Sequence, residues 1–131
     1  MKYYIGQSAK LSKTITETDV YNFAGICGDF NSLHVNKEAA EHSDFGGRIV
    51  HGALLSSFIS AVMGMYLPGD GTIYLRQEVN YRKPVYFGDT ITARVTIDEI
   101  LKNSKAVLKT DVFNQKGECV LDGRAVVKLP F

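Results

Sequence analysis

The chain has no tryptophan, only three prolines and no run of like charges along its 131 residues. Fifteen basic residues against fourteen acidic ones give a net charge of +1, which argues against a nucleic-acid or membrane-surface partner held by bulk electrostatics. No apolar run reaches the ~18 residues of a membrane span. The N-terminus also has no apolar core of signal-peptide length. We therefore expect a cytoplasmic protein with one domain over residues 1–131.

Cysteine is scarce, and the usual metal and nucleotide motifs are missing. Cys27 and Cys119 lie far apart and form no Cys-x-x-C unit, so we expect two buried free thiols in a reducing compartment. The three histidines have no second cluster of ligands, which argues against a zinc site. The segment Gly69-Asp70-Gly71 lacks the Lys-Ser/Thr of a phosphate loop, and no Gly-x-Ser-x-Gly is present.

The first quarter of the chain predicts a strand followed by a helix. Residues 9–15 alternate as a strand does. Thr16 and Asp19 have the spacing of a capping box, in which an N-cap oxygen and an acid three residues later satisfy helix amides. Apolar residues at helical spacing then predict a helix over residues 17–27, which ends at Gly28.

The rest of the chain predicts two further helices and then a sheet. Asn36 can cap a short helix over residues 37–42, and residues 52–67 predict a longer helix without a charged residue, which a soluble protein would bury. Four β-branched-rich runs follow, at residues 73–81, 90–101, 106–114 and 119–129. This order predicts an α+β fold with an antiparallel sheet that holds the charge-free helix in its concave face.

Asp29 and His34 are the first candidates for chemistry. A loop of this length can turn both side chains toward one point, while Asn31 bonds the backbone and holds the turn. Such a pair can bind one water and move its protons, and each group of this kind contributes roughly 10²–10⁴-fold in rate. The alternative is structural: Asp29 caps a turn beside Gly28, and His34 is a partly buried histidine with its bonds satisfied.

Gly52 stands at the predicted start of the buried helix. Amides there lack intrahelical acceptors, and the helix dipole favours negative charge, so the Gly52 amide could stabilise an oxyanion. An ordinary glycine at a helix start is the alternative. We interpret the neighbouring His51 as structural.

Small side chains recur every four residues along this helix, at Gly52, Ser56, Ser60 and Gly64. This stripe could let a strand or a symmetry partner pack closely. It could instead line a slot for an acyl chain, with Ser60 and Met63 limiting the depth of the slot.

Two motifs together resemble a known family. The segments Asp29-Phe30-Asn31-Ser32-Leu33-His34 and Ile49-Val50-His51-Gly52 are similar to the motifs of the MaoC-like hydratases. More closely, they resemble the short (R)-specific enoyl-CoA hydratases that feed polyhydroxyalkanoate synthesis. The likeness extends over essentially the whole chain. One departure is Ser32, because the family usually has proline there; this loosens the loop but removes no reacting group.

The resemblance implies a hot-dog fold, a homodimer, and reversible hydration of trans-2-enoyl-CoA to (R)-3-hydroxyacyl-CoA without a metal or redox cofactor. It places the catalytic pair on Asp29 and His34 and the oxyanion donor on the Gly52 amide. Asn31 would position the loop, and the family's helix alcohol falls on Ser60, beside the acyl group.

Three other functions are compatible with the same residues. A hot-dog thioesterase would hydrolyse the thioester, and a 3-hydroxyacyl-carrier-protein dehydratase would run the reverse reaction on another carrier. A non-catalytic acyl-CoA-binding domain would bind without turnover. The sequence leaves open the length of the acyl chain, the carrier and the direction of the reaction.

Overall fold

The computed structural model describes residues 2–130 as one curved sheet with helices on one side. All five strands are antiparallel to their neighbours, in the order β1-β3-β4-β5-β2. In chain order the elements are β1 (Ser8–Thr14), α1 (Glu17–Cys27), α2 (Ser32–Val35), α3 (Lys37–Glu41), α4 (Gly52–Met65), β2 (Ile73–Tyr81), β3 (Thr90–Leu101), β4 (Lys105–Phe113) and β5 (Cys119–Lys128). The α+β prediction is confirmed.

Helix α1 begins and ends as its sequence predicts. The Thr16 hydroxyl accepts a hydrogen bond from the Asp19 amide at 3.1 Å, and the Asp19 carboxylate accepts one from the Thr16 amide at 2.9 Å. At the other end, Gly28 has φ +86°, a left-handed conformation that suits glycine. The chain therefore reverses sharply at residue 28, and this turn leads directly into the segment that carries Asp29.

Helix α4 lies in the concave face of the sheet and contacts β1, β3 and β4. Its buried side chains are Leu54, Leu55, Ile59, Val62 and Met63. They meet the inward residues of the strands, where alternate positions of β3 and β4 are fully buried. Transfer of this apolar surface out of water is the main stabilising contribution to the fold. The helix is two residues shorter than predicted and ends at Met65.

Two predictions about the chain were wrong. Residues 32–35 form a short helix where we expected only loop, because the Asn31 side chain caps it. Cys27 is exposed rather than buried, and Cys119 is partly buried. Helix α1 buries only Val20 and Ala24 in the core, so its last turn extends beyond the packed region and leaves the Cys27 thiol at the surface.

One face of α4 stays open in the single chain. Ser60 and Met65 are exposed, and Gly52, Ser56 and Gly64 are partly exposed. The neighbouring strand β2 is an edge strand with mostly exposed residues. Among residues 2–130, no helix has both the length and the apolar character needed to cross a membrane.

Candidate functional site

The turn after α1 fixes the backbone around Asp29. One carboxylate oxygen of Asp29 accepts a hydrogen bond from the Asn31 amide at 3.1 Å, and the Asn31 side-chain oxygen accepts one from the Leu33 amide at 3.0 Å. These two bonds begin α2 one residue after Asn31. The Asn31 side chain thus caps α2, its role in positioning the loop for catalysis stays a prediction, and Asp29 Oδ2 is left for another partner.

His34 reaches the same point from α2. Its side chain is buried, and Nδ1 lies 2.8 Å from the carbonyl oxygen of Ile49. Because a carbonyl only accepts, Nδ1 carries the proton in this bond, and Nε2 of a neutral ring has the free lone pair. The Ile49 amide in turn donates to the Leu33 carbonyl at 3.0 Å, so the segment before α4 holds α2 from both sides.

Asp29 Oδ2 and His34 Nε2 are 3.8 Å apart. This separation is too long for a direct hydrogen bond but short enough for one water to bond to both atoms. The Asp29 side chain is 52% exposed and the His34 side chain 11%, so the pair lies where buried structure meets solvent. The two interpretations of Asp29 are compatible, because one oxygen holds the turn while the other faces His34.

Tyr21 and Arg48 hold this region from the outside. The Tyr21 hydroxyl donates to the Val35 carbonyl at the end of α2 at 2.8 Å and accepts a hydrogen bond from Arg48 at 2.8 Å. Arg48 also pairs with Glu17 at the start of α1, at 2.8 Å. Helix α2 is thereby fixed against α1.

Gly52 is the first residue of α4, and the His51 side chain makes no capping bond there. Among residues 2–130, the Gly52 amide has no hydrogen-bond acceptor. Gly52 and His34 both line a cavity of about 350 Å³. The free amide at the positive end of the helix dipole therefore shares a cavity with the imidazole. The Asp29 carboxylate is not part of this lining.

Other walls of this cavity come from Phe45, Ile49, Val50, Leu55 and residues 81–85. Two of these, Arg82 and Lys83, carry charged side chains. Arg82 pairs with Asp122 at 2.8 Å and Lys83 with Glu118 at 2.5 Å. Nothing in the sequence around Pro84 indicates that Arg82 and Lys83 lie near Gly52. The sequence therefore did not identify them as residues of the site.

The two predicted acyl-pocket residues lie apart from this cavity. Ser60 is exposed on the open face of α4, whereas Met63 is 2% exposed and belongs to the core. Neither residue lines the cavity at Gly52. Their assignment to an acyl pocket stays a prediction.

His51, which we interpret as structural, contacts both Asp29 and His34. Its Nε2 is 3.0 Å from the Asp29 carbonyl oxygen, and its ring stacks on His34 with centroids 3.8 Å apart. Asp29, His34 and His51 thus offer three ligand atoms within 4.8 Å of one another. The lone pair of an imidazole nitrogen lies in the plane of its ring, so a metal ion must lie in the plane of each histidine that binds it. The stacked rings of His34 and His51 therefore cannot both bind one ion at metal–nitrogen distances of about 2.0–2.1 Å. The residues present do not fit a metal.

A larger cavity of about 590 Å³ lies on the sheet face that points away from α4. Asp111 in its lining pairs with Arg94 at 3.0 Å and with Lys109 at 4.0 Å. It contains neither histidine nor a free helix terminus among its lining residues. We therefore place the candidate active site at His34 and Gly52.

Comparison with known proteins places the chain among relatives of known activity. Residues 3–116 match the family described as MaoC like domain. The chain is 45% identical to the (R)-specific enoyl-CoA hydratase of Rhodospirillum rubrum, over 95% of this chain and 87% of that protein. It is 42% identical to the (R)-specific enoyl-CoA hydratase of Aeromonas caviae, over 96% and 95% of the two chains.

The fold is likewise similar to a solved structure, that of an (R)-hydratase from A. caviae involved in PHA biosynthesis. The TM-score is 0.95, with 41% identity and 98% of each chain covered. The predicted hot-dog architecture, a long helix wrapped by an antiparallel sheet, is confirmed.

Proposed function

We propose that Asp29 and His34 hold the reacting water in this chain, which belongs to the MaoC-like domain family and acts as an (R)-specific enoyl-CoA hydratase. The reaction is the reversible hydration of trans-2-enoyl-CoA to (R)-3-hydroxyacyl-CoA. The observation that supports the assignment of these residues is the 3.8 Å approach of Asp29 Oδ2 to His34 Nε2. His34 also shares a cavity with the free amide of Gly52.

The thioester carbonyl accepts a hydrogen bond from the Gly52 amide in the proposed complex. This bond draws electron density from C3 and stabilises the enolate oxygen that forms when water attacks. One such donor is typically worth about 10²–10³ in rate. The helix dipole at the start of α4 adds to the stabilisation, because it favours negative charge at this end.

Asp29 is the principal base in this mechanism. It takes a proton from the water as the oxygen bonds to C3, and the π electrons of C2=C3 move onto the thioester oxygen. His34 orients the water through its Nε2 lone pair and shares the transfer. The proton then passes from the pair to C2, on the face where the oxygen was added. The net change is the addition of one water, and no electron is gained or lost.

This mechanism assigns every proton transfer to Asp29 and His34 and charge stabilisation to a backbone amide. We therefore propose an enzyme that works with a coenzyme A thioester as substrate and without a metal or redox cofactor. We also propose that it acts in the cytoplasm.

We propose that the enzyme is a homodimer formed through β2 and the open face of α4. Strand β2 pairs with β5 along one edge only, and its Ile73, Tyr74 and Leu75 are 53%, 39% and 48% exposed. Exposed apolar edge strands invite pairing with another chain. A second copy would cover the small-residue stripe of α4 and enclose Ser60, which would complete an acyl slot above Met63.

A turnover assay with crotonyl-CoA tests the proposed function. Hydration bleaches the enoyl absorbance without releasing a thiol, and the product is the (R) enantiomer. Asp29→Asn should lower kcat by at least 100-fold, as expected for the loss of a general base. Asp44→Asn, at an exposed acid of the following loop, should leave kcat unchanged. Release of free thiol at the rate of bleaching would instead identify a thioesterase, and parental activity in Asp29→Asn would refute the assignment of the base.

A further inference from the structure

We propose that His51 is a positioning residue that holds both members of the acid–base pair, an inference that rests on the proposed function. His51 is 1% exposed and lies at the N-cap of α4. Its side chain does not cap the helix but crosses to the turn that follows α1. It therefore contacts Asp29 through the backbone and His34 through the ring.

The contact with Asp29 is a hydrogen bond to the main chain. His51 Nε2 is 3.0 Å from the Asp29 carbonyl oxygen, so Nε2 carries the proton and donates it. The Asp29 carboxylate itself is half exposed, and the hydrogen bond that it accepts from the Asn31 amide lies within the same turn. The bond from His51 thus ties this turn to the start of α4, where the Gly52 amide lies one residue later.

The contact with His34 is a stack of two imidazole rings. Their centroids are 3.8 Å apart and their planes differ by 25°. Phe23 meets the His51 ring edge-on at 5.0 Å, so His51 is held in turn by α1. The bond from His34 to the Ile49 carbonyl fixes one edge of the His34 ring, and the stack fixes its face. Together these contacts set where His34 Nε2 points.

The second ring nitrogen of His51, Nδ1, is buried without a hydrogen-bond partner among residues 2–130, which is unfavourable for stability. Buried polar atoms without partners are rare and call for an explanation. A phenyl ring would fill this space without the unpaired atom but could not bond to the Asp29 carbonyl. Because Nδ1 is shielded from solvent and substrate, His51 acts through its neighbours and takes no part in proton transfer.

Three substitutions separate the hydrogen bond from the stack. His51→Phe keeps a flat ring and loses the donor, His51→Gln keeps a donor near the position of Nε2, and His51→Asn reaches only the position of Nδ1. We expect His51→Phe and His51→Asn to lower kcat about 10–100-fold with KM for crotonyl-CoA within about twofold, because small misplacements of reacting groups cost rates of this order. His51→Gln should recover most of that kcat.

The measurements are kcat and KM on crotonyl-CoA, with the thermal midpoint of each variant. Parental kcat in folded His51→Phe would overturn the inference, as would equal kcat in the Gln and Asn variants. If His51→Phe does not fold, the Gln and Asn pair decides alone, with at least a tenfold difference expected. Asp29→Asn is assayed in parallel: retained activity there refutes the proposed role of Asp29 as the base, whereas its loss together with a fully active His51→Phe refutes only the role of His51.

Discussion

The ring of Tyr81 packs directly on Gly52, so that a methyl group added at Gly52 would lie 2.7 Å from Tyr81 Cε1. Glycine lacks a side chain and can therefore let a ligand approach the backbone. The space that glycine leaves is instead occupied by an aromatic ring, whose hydroxyl lies 3.3 Å from Ser56 Oγ. Tyr81 therefore forms a wall of the cavity beside the free amide, and its own exposure of 54% gives it room to shift.

The oxyanion role of Gly52 is tested by comparing Gly52→Ala with Gly52→Pro. Both add a Cβ that displaces Tyr81, but only proline removes the amide hydrogen. Proline is tolerated at the first position of a helix, and His51 before it has φ −56° and ψ 133°, a conformation that proline favours in its predecessor. We expect kcat of the proline variant to be about 10²–10³ lower than that of the alanine variant. Equal kcat values in two folded variants would exclude the amide as the donor.

The two thiols should differ in reactivity. Cys27 is exposed at the end of α1, whereas burial, together with the nearby Asp111 and Asp122 carboxylates, raises the pKa of the Cys119 thiol. A raised pKa lowers the fraction of reactive thiolate at neutral pH. In the native protein, dithiobis-nitrobenzoate should therefore label Cys27 quickly and Cys119 slowly. Cys27→Ser should abolish the fast phase and Cys119→Ser the slow one, and the opposite assignment would contradict the structure.

The capping box of α1 should contribute to stability in a pH-dependent way. The hydrogen bond from Lys13 and that from the Thr16 amide hold the pKa of Asp19 below its ordinary value. A lowered pKa in the folded state stabilises the fold above the ordinary pKa, and this stabilisation is lost as the pH falls through the folded value. The free energy of unfolding of Asp19→Asn should therefore lie below that of the parent at pH 7, and the difference should close below about pH 4.

Chemical denaturation across this pH range measures the effect. Asp44→Asn, at an exposed acid, is the matched control and should show no such closing difference. Thr16→Ala, which removes the other half of the box, should cost about 1 kcal/mol. If the difference in the free energy of unfolding between Asp19→Asn and the parent persists unchanged at pH 3, the effect does not depend on the charge of Asp19.

If the enzyme is the proposed homodimer, a charged substitution in β2 should convert the dimer into a monomer. Leu75 is 48% exposed on the edge strand β2, and Leu101 is 41% exposed at the end of β3, next to the turn into β4. By light scattering after gel filtration, the parent and Leu101→Asp should have the mass of two chains and Leu75→Asp that of one. Burial of a charge in an interface is unfavourable, which is the reason for the difference. A parent with the mass of one chain would refute the dimer.

Local signals in the sequence were sufficient for the long elements. Helix α1 begins at its capping box and ends before Gly28, at the predicted residues. The alternating pattern and the flanking turn residues also predicted the observed ends of β2 and β3. Helix α2 escaped prediction because four residues are too short to show a period, and its cap and its contact with Tyr21 stabilise it instead. The exposure of Cys27 was missed because spacing shows which row of a helix is apolar, not where packing along that row ends.

The sequence by itself determined the fold class, the helix that lies in the sheet, and the candidates Asp29, His34, Asn31 and Gly52, since these depend on periodicity and on motifs within a few residues. Only the tertiary structure decided what surrounds them. His51 lies 22 residues from Asp29 along the chain and meets it because α4 packs beside the turn after α1. Tyr81 covers Gly52 because the sheet curves around that helix. Contacts of this kind are fixed by how whole elements pack, and no local pattern in the sequence encodes them.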